Sequence, residues 1–220
     1  MKQIKLFDPY TDKLEKIAIN KVLESNFWAS GAGNGNVKKF EEKFSKYVNS
    51  KSSVAVNSVT AALNLALSMY DIKNREVILP SLSFVATANA IVENGGIPKF
   101  VDINEKTLCI EPEKILDSIT NKTKIILPVH FGGFSSDLAE ISKICKKNKI
   151  HLIEDAAHST GATYKNRKIG SHGDLVCFSF HPVKNLAMPT GGLIAINSKN
   201  YKKIEKTLKE KRWCGITNRK

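Results

Sequence analysis

Arginine is scarce in this chain: four residues against thirty lysines, although the 34 basic and 21 acidic residues leave a formal net charge of +13. A nucleic-acid surface would gather that charge into a patch or a recognisable reading motif. Here the lysines are spread along the chain, and the densest basic stretch, Lys202 to Lys211, has helical spacing with Glu205 and Glu210 interleaved. It reads as a solvated helix face, and no nucleic-acid partner is expected. The four cysteines, Cys109, Cys145, Cys177 and Cys214, form no C-x-x-C pair. Zinc, redox and disulfide-scaffold readings therefore lack their spacing, and the thiols read as buried or incidental. The longest apolar runs, such as Ile125 to Val129 and Leu193 to Ile196, fall far short of the roughly 20 residues of a membrane-spanning helix. MKQIKLFDPYTDKLEK at the N-terminus has no signal-peptide core, so no membrane partner and a cytoplasmic location are expected. There is no internal repeat, no low-complexity stretch and no G-x-x-x-x-G-K-[ST]. GAGNGN (Gly31 to Asn36) lacks the third glycine of a dinucleotide loop and a convincing strand before it.

What is present is an ordinary globular composition, 42% apolar and 25% charged over 220 residues. That suffices for one large α/β domain, or one with a small appendage. Apolar spacing predicts a helix at Lys13 to Leu23 and another carrying Val37, Phe40, Phe44 and Tyr47 on one stripe. Short β-like runs follow at Ser53 to Val56, Val77 to Leu79, Lys99 to Val101, Ile125 to Val129 and Ile150 to Glu154. They mostly alternate with helical segments at Thr60 to Tyr70, Phe84 to Glu93, Pro112 to Ile119 and Asp137 to Lys147. This order predicts a mostly parallel sheet of about seven strands flanked by helices. The last two strands, Leu175 to Phe180 and Leu193 to Ile196, are joined by about a dozen residues with two prolines and two glycines, too short and broken for a helical crossover. They are expected to run antiparallel.

Ligands of open α/β sheets gather beyond the carboxyl ends of the strands. That edge receives Asn57, Ser58 and Thr60 from the first strand, Ser81 and Phe84 from the second, His130 from the fourth, Asp155 from the fifth and Lys184 from the sixth. In NSVTAALNLALSMY, Ser58 or Thr60 either caps the helix or opens a phosphate site, because free backbone N–H groups and the helix dipole point outward there. In HLIEDAAHSTGA, Asp155 follows Glu154 and either caps a helix or pairs with a cationic ring nitrogen such as the pyridinium of pyridoxal phosphate. His158 would lie near the same ring, or is structural. Lys184, in FSFHPVKNLAMPTGG, is either one more solvated lysine or a partly desolvated amine able to form a Schiff base with a phosphate-bound aldehyde. Ser179 alternates with Phe178 and Phe180, so it faces away from both rings, either as a second phosphate hydroxyl or with no role at all.

The ordered set NSVTAAL, LPSLSFVATANAIVENGGIPKFVDI, ILPVHFGG, IEDAAHSTGATYKNRKIGSHGD and FSFHPVKNLAMPTGG resembles the DegT/StrS sugar aminotransferases, pyridoxal-phosphate enzymes of fold type I. The similarity begins near GNGNVKKFEEKF and covers almost the whole chain. The resemblance implies that Lys184 anchors pyridoxal 5'-phosphate covalently and acts as the catalytic residue, and that Asp155 pairs with the ring nitrogen. It places His158 beside the ring oxygen and Phe84 on the ring face. Thr60 and Ser179 become phosphate contacts, assisted by the backbone around Ser58 and Val59. No metal is implied.

Two positions depart from the pattern: Val59 stands where many members have glycine or alanine, and MPTGG puts Thr190 where glutamate is frequent. Members continue past a segment like RWCGITNRK into a smaller C-terminal domain. Residues 1–220 therefore read as the cofactor-binding large domain, with that small domain absent. The implied reaction is transamination of a nucleotide-linked keto-deoxysugar with glutamate as donor, by a homodimer. Two rivals are a pyridoxal-phosphate sugar dehydratase, a branch in which histidine replaces the lysine, and a catalytically silent regulatory or binding fragment.

Overall fold

The structure is a computed structural model, and it describes residue 5, residues 8–28 and residues 33–216. The first part of the Gly31–Asn36 stretch, the last four residues of RWCGITNRK and parts of the N-terminal segment lie outside the described residues.

Helix α1 (Lys13–Glu24) starts where Asp12 accepts from the Leu14 N–H at 2.6 Å while Glu15 accepts from the Asp12 N–H at 2.7 Å, a reciprocal cap. α2 (Asn36–Val48) ends at Asn49 in the left-handed region. Its buried side is Glu41, Phe44 and Val48, with Phe40 packed alongside. Tyr47, expected on the buried stripe, is exposed instead, with Lys168 Nζ 4.2 Å from its ring centroid. The stripe is rotated because Glu41 turns inward to the sheet.

The strands are β1 (Ser52–Val56), β2 (Glu76–Pro80), β3 (Ile97–Val101), β4 (Thr123–Ile126), β5 (His151–Asp155), β6 (Thr163–Tyr164), β7 (Arg167–Lys168), β8 (Leu175–Ser179) and β9 (Gly192–Ile196). Seven form one sheet in the order β1-β9-β8-β5-β4-β2-β3. β9 runs antiparallel to both β8 and β1, and the other pairings are parallel. The fold is thus α/β with a mostly parallel seven-stranded sheet, and the expected antiparallel pair is present. β4 stops at Ile126, short of the expected Val129, because Pro128 has no N–H for the ladder. Its carbonyl accepts from the Asp155 N–H at 2.9 Å, and Val129 keeps a single bridge to Asp155. The hairpin of β6 and β7 was not anticipated. Its two central residues, Lys165 and Asn166, have φ of 47° and 62°, as a two-residue turn requires.

One face of the sheet carries Val54, Leu79, Leu127, Ile153, Cys177 and Ile194. It is covered by α3 (Val59–Leu67), α4 (Val85–Glu93) and α7 (Tyr201–Arg212), which contribute Leu63, Ile91 and Leu208. The reverse face packs Val176, Phe178 and Leu193 against α2. It also packs Ile126 and Leu152 against α5 (Pro112–Ser118) and α6 (Leu138–Asn148). Strand alternation follows from this: Ile153 and Asp155 point toward α3 and α4, whereas Leu152 and Glu154 point to the reverse face.

β1 lies at an edge, and its outward backbone groups are met by side chains. Glu41 Oε1 accepts from the Ala55 N–H at 2.8 Å, and Arg212 Nη1 donates to the Ala55 carbonyl at 3.0 Å and to Glu41 Oε1 at 2.5 Å. Both side chains are largely buried. Removing one member of a buried pair strands the other charge. Arg212→Ala is expected to lower stability by ~3–5 kcal/mol, read from urea unfolding. A loss below ~1 kcal/mol, as for exposed ion pairs, would show that the pair does not hold the edge.

Candidate active site

The carboxyl ends of β1, β8, β5 and β2 lie along one edge of the sheet, and the first residues of the following loops face one another there. Ser58 is the N-cap of α3, its Oγ accepting from the Ala61 N–H at 3.2 Å. The cap reading therefore applies to Ser58, while Val59 and Thr60 open the first turn, whose N–H groups have no intrahelical acceptor. Gly192 starts β9 directly behind this turn. A Cβ there would lie 2.3 Å from the Ser58 carbonyl carbon and 2.7 Å from the Val59 nitrogen, so only glycine permits the approach. Gly192 pairs with Val56 on one side and Ser179 on the other. Ser58, Thr60 and Ser179 are thereby gathered around one backbone crossing. Ser179 is buried, points away from Phe178 and Phe180 as expected, and its Oγ accepts from the His181 N–H at 3.4 Å. Thr190 Oγ1 donates to the Asn57 carbonyl at 2.6 Å and ties the lysine loop to the same turn.

Asp155 ends the central strand β5 and is 4% exposed. No helix follows it, which removes the helix-cap alternative. Its Oδ1 instead accepts from the Ala157 N–H at 3.1 Å in a tight turn, and its Oδ2 accepts from Thr87 Oγ1 at 2.8 Å. Burial raises its pKa above the ordinary aspartate range; the hydrogen bonds from Thr87 and Ala157 and the nearby His158 oppose that rise. His158 is half-buried, and its Nδ1 accepts from the Gly132 N–H at 3.3 Å, which leaves the proton on Nε2. Its pKa is lowered, first by burial and then by the charge of Lys184. Lys184 follows a turn closed by its own N–H on the His181 carbonyl at 2.8 Å. Burial lowers the pKa of its ammonium, and Asp155 partly counters this. Lys184, Asp155 and His158 thus act on one another electrostatically. Of the alternatives for Lys184, the partly desolvated amine fits the structure better than a solvated one.

Phe84 is the N-cap residue of α4 and is 70% exposed. His130 departs from the strand-end expectation. Its side chain is fully buried on the reverse face, 2.9 Å from Glu154, because the chain beyond Pro128 turns there. Thr87 was not anticipated, although it was visible as the one polar residue on the buried side of α4, beside Ala86, Ala90 and Ile91. A cavity of ≈ 970 Å³ lies between α3 and the end of α7, lined among others by Ala61, Leu65 and Trp213. It borders the start of α3 at Val56, Asn57 and Ala61.

A capped helix start, two hydroxyls, a buried carboxylate and an amine of lowered pKa thus stand along one edge of the sheet. The family model of the DegT/DnrJ/EryC1/StrS aminotransferases matches residues 9–219, and the chain belongs to that family. It is 43% identical over 187 residues to the spore coat polysaccharide biosynthesis protein SpsC of Bacillus subtilis, covering 84% of this chain and 47% of the relative. Among solved structures it is similar to Helicobacter pylori PseC, an aminotransferase involved in pseudoaminic acid biosynthesis. That similarity has a TM-score of 0.84 and 28% identity, over 94% of this chain and 56% of the other. It is also similar to the E. coli GDP-4-keto-6-deoxy-D-mannose-3-dehydratase with bound hydrated pyridoxal phosphate, with a TM-score of 0.81 and 30% identity over 93% and 52%. The chain spans about half the length of these relatives. Among the described residues no helix is long and apolar enough to cross a membrane, and no cluster of metal ligands is present.

The buried carboxylate generates a stability prediction. A carboxylate whose pKa is raised on folding costs stability once pH exceeds its unfolded value, and costs nothing below it. The substitution Asp155→Asn would keep both contacts, the new side-chain carbonyl accepting from Ala157 and the amide donating to the Thr87 hydroxyl. Without added ligand, this variant is expected to unfold at a higher temperature than the natural chain near pH 7. The gain should shrink as pH falls toward ~3.9, the ordinary aspartate value. A variant less stable than the natural chain at every pH would show that the carboxylate is not strained by burial.

Proposed function

We propose that the chain is the cofactor-binding large domain, residues 1–220, of a sugar aminotransferase. It would bind pyridoxal 5'-phosphate and transfer an amino group, from glutamate, to the keto carbon of a nucleotide-linked deoxysugar. The observation that carries this reading is the convergence of Asp155, Lys184 and the start of α3 on one sheet edge. The donor set fits the cofactor's three ends. The phosphate would lie at the first turn of α3 with Thr60, Ser179 and the backbone at Ser58 and Val59, the ring under Phe84 with His158 beside it, and the ring nitrogen at Asp155. When bound, the cofactor supplies an electron sink for the carbon that loses its proton. Asp155, buried and acceptor-only when ionised, keeps a proton on the ring nitrogen. Thr87 and the Ala157 N–H hold its carboxylate in one orientation.

Lys184 would be the covalent anchor. Released when an incoming amino group takes its place, its amine, easier to deprotonate than a solvated lysine, would move a proton from one of the two carbons flanking the transferred nitrogen to the other. Membership of the family, together with relatives in spore coat polysaccharide and pseudoaminic acid biosynthesis, supports a sugar substrate and a role in polysaccharide formation. We assign the homodimer and a soluble cytoplasmic setting on the same ground. The dehydratase reading has a structural relative, but the lysine at position 184 favours amino transfer. A silent regulatory fragment would have no use for an amine and a buried carboxylate in register.

Borohydride treatment after addition of pyridoxal phosphate is expected to fix the cofactor to Lys184, located by peptide mapping, and Lys184→Ala should abolish both the label and the visible absorption. Recovery of the label mainly on another lysine would overturn the assignment. In an active preparation, Asp155→Asn is expected to lower turnover on the order of 10²-fold, about 2.7 kcal/mol of transition-state stabilisation. Turnover near the natural level would reduce Asp155 to a structural residue.

A further inference from the structure

On the reverse face of the sheet, behind Asp155, lies a second polar group that the proposed chemistry does not use. His130 and Glu154 are both fully buried, with Nε2 and Oε2 2.9 Å apart. The Ser136 N–H donates to His130 Nδ1 at 3.1 Å. Nδ1 is therefore bare, and the imidazole proton is on Nε2, directed at Glu154. The other Glu154 oxygen accepts from the Gly173 N–H, at a position where a Cβ on residue 173 would lie 2.6 Å from that oxygen. Both contacts on Glu154 thus donate to it, one to each carboxyl oxygen. An amide in its place would set N–H against N–H on one side, whichever way it is turned.

This pair ties two segments that carry site residues. Glu154 is covalently next to Asp155, and the His130 N–H donates to the Asp155 carbonyl at 3.1 Å. From His130 the chain makes a short turn through Phe131, Gly132 and Gly133, closed by Ser136 returning to the imidazole. Gly132 and Gly133 have φ of 59° and 88°. The Gly132 N–H is the donor to His158 Nδ1, and the Phe131 ring stands edge-on to the His158 ring at 5.7 Å between centroids. The turn that starts at His130 thus carries both of these contacts to His158.

We infer that His130 and Glu154 are positioning residues, a buried clamp on the far side of the sheet that fixes Asp155 and aims His158 at the candidate site. The inference rests on the proposed function only for the ligand concerned; the clamp itself is a property of the chain.

The test uses the full chain with nitrogen-15 histidine, its His158 signals assigned with His158→Gln, together with Glu154→Gln and the double variant His130→Leu with Glu154→Leu. The double variant removes the buried carboxyl together with its imidazole partner and leaves only the Ser136 and Gly173 N–H groups to find new acceptors, so it remains a test if the single one does not fold. In the natural chain, His130 is expected to carry its proton on Nε2. Both variants should displace the His158 ring signals and weaken attachment of pyridoxal phosphate about tenfold, or ~1.4 kcal/mol. Unmoved His158 signals with unchanged cofactor affinity, in variants that fold, would reduce the clamp to packing. A proton on His130 Nδ1 would overturn it in the natural chain. If the natural chain attaches no cofactor at Lys184, the proposed function fails, and the His158 signals still decide the clamp.

Discussion

The carboxylate of Asp155, buried at the end of the central strand, is the constraint around which the rest of the site is built. Withdrawing an ionised carboxylate from water costs several kcal/mol unless donors replace the lost solvent. Two donors do so, Thr87 and the Ala157 N–H, and each imposes something on the fold. Thr87 requires α4 to pass over the sheet with its third residue facing β5, which in turn sets how β2 enters that helix. The Ala157 contact sits in the turn that follows β5, and small residues at 156 and 157 keep that turn close. The segment just beyond β4 supplies the Pro128 carbonyl to the Asp155 N–H, so the backbone is held as firmly as the side chain.

Most of the architecture was legible in the sequence because its signals are local. Strand and helix alternate from Ser52 to Asp155 with a period change at each boundary, and the broken linker between Phe180 and Leu193 left only an antiparallel return. Ser58, Asp155 and Lys184 stood out as candidates because each lies at a strand end or shortly beyond it. What escaped is non-local. Strand-end counting put His130 at the ligand edge, but Pro128 ends the ladder early and the chain turns to the reverse face. Thr87 lies inside a helix, where its partner is 68 residues away and no spacing rule connects them. Tyr47 fell on the predicted apolar stripe, yet the axis of burial is set by Glu41 reaching β1, a carboxylate that a hydrophobicity pattern counts as solvent-facing. The β6–β7 hairpin was missed because its strands are two residues long, and Lys165-Asn166 is a weaker turn signal than Asn-Gly.

The basic surplus also divides by position. Lys202, Lys203 and Lys206 on α7 are exposed, as a solvated face predicts, and they screen readily in salt. Arg212, at the end of the same helix, turns inward to Glu41 and the edge of β1. A planar guanidinium can serve a carboxylate and a carbonyl at once, which a lysine ammonium on a flexible stem does less well. One of the few arginines therefore occupies the position where geometry matters more than charge.

The electrostatics of the site edge have a direction of their own. Burial disfavours the charged form of Lys184 and of Asp155 alike, lowering one pKa and raising the other. Asp155 partly sustains the charge of Lys184, while the hydrogen bonds from Thr87 and the Ala157 N–H hold down the rise of its own pKa. A cationic group set against Asp155 breaks that dependence, because it takes over as the carboxylate's partner. As a second positive charge within the same low-dielectric edge, it also makes the ammonium of Lys184 still less favourable. His158, whose proton on Nε2 leaves it neutral and whose pKa is already depressed, adds no competing charge. A single cationic ligand would thus hold Asp155 ionised and free the amine of Lys184 together.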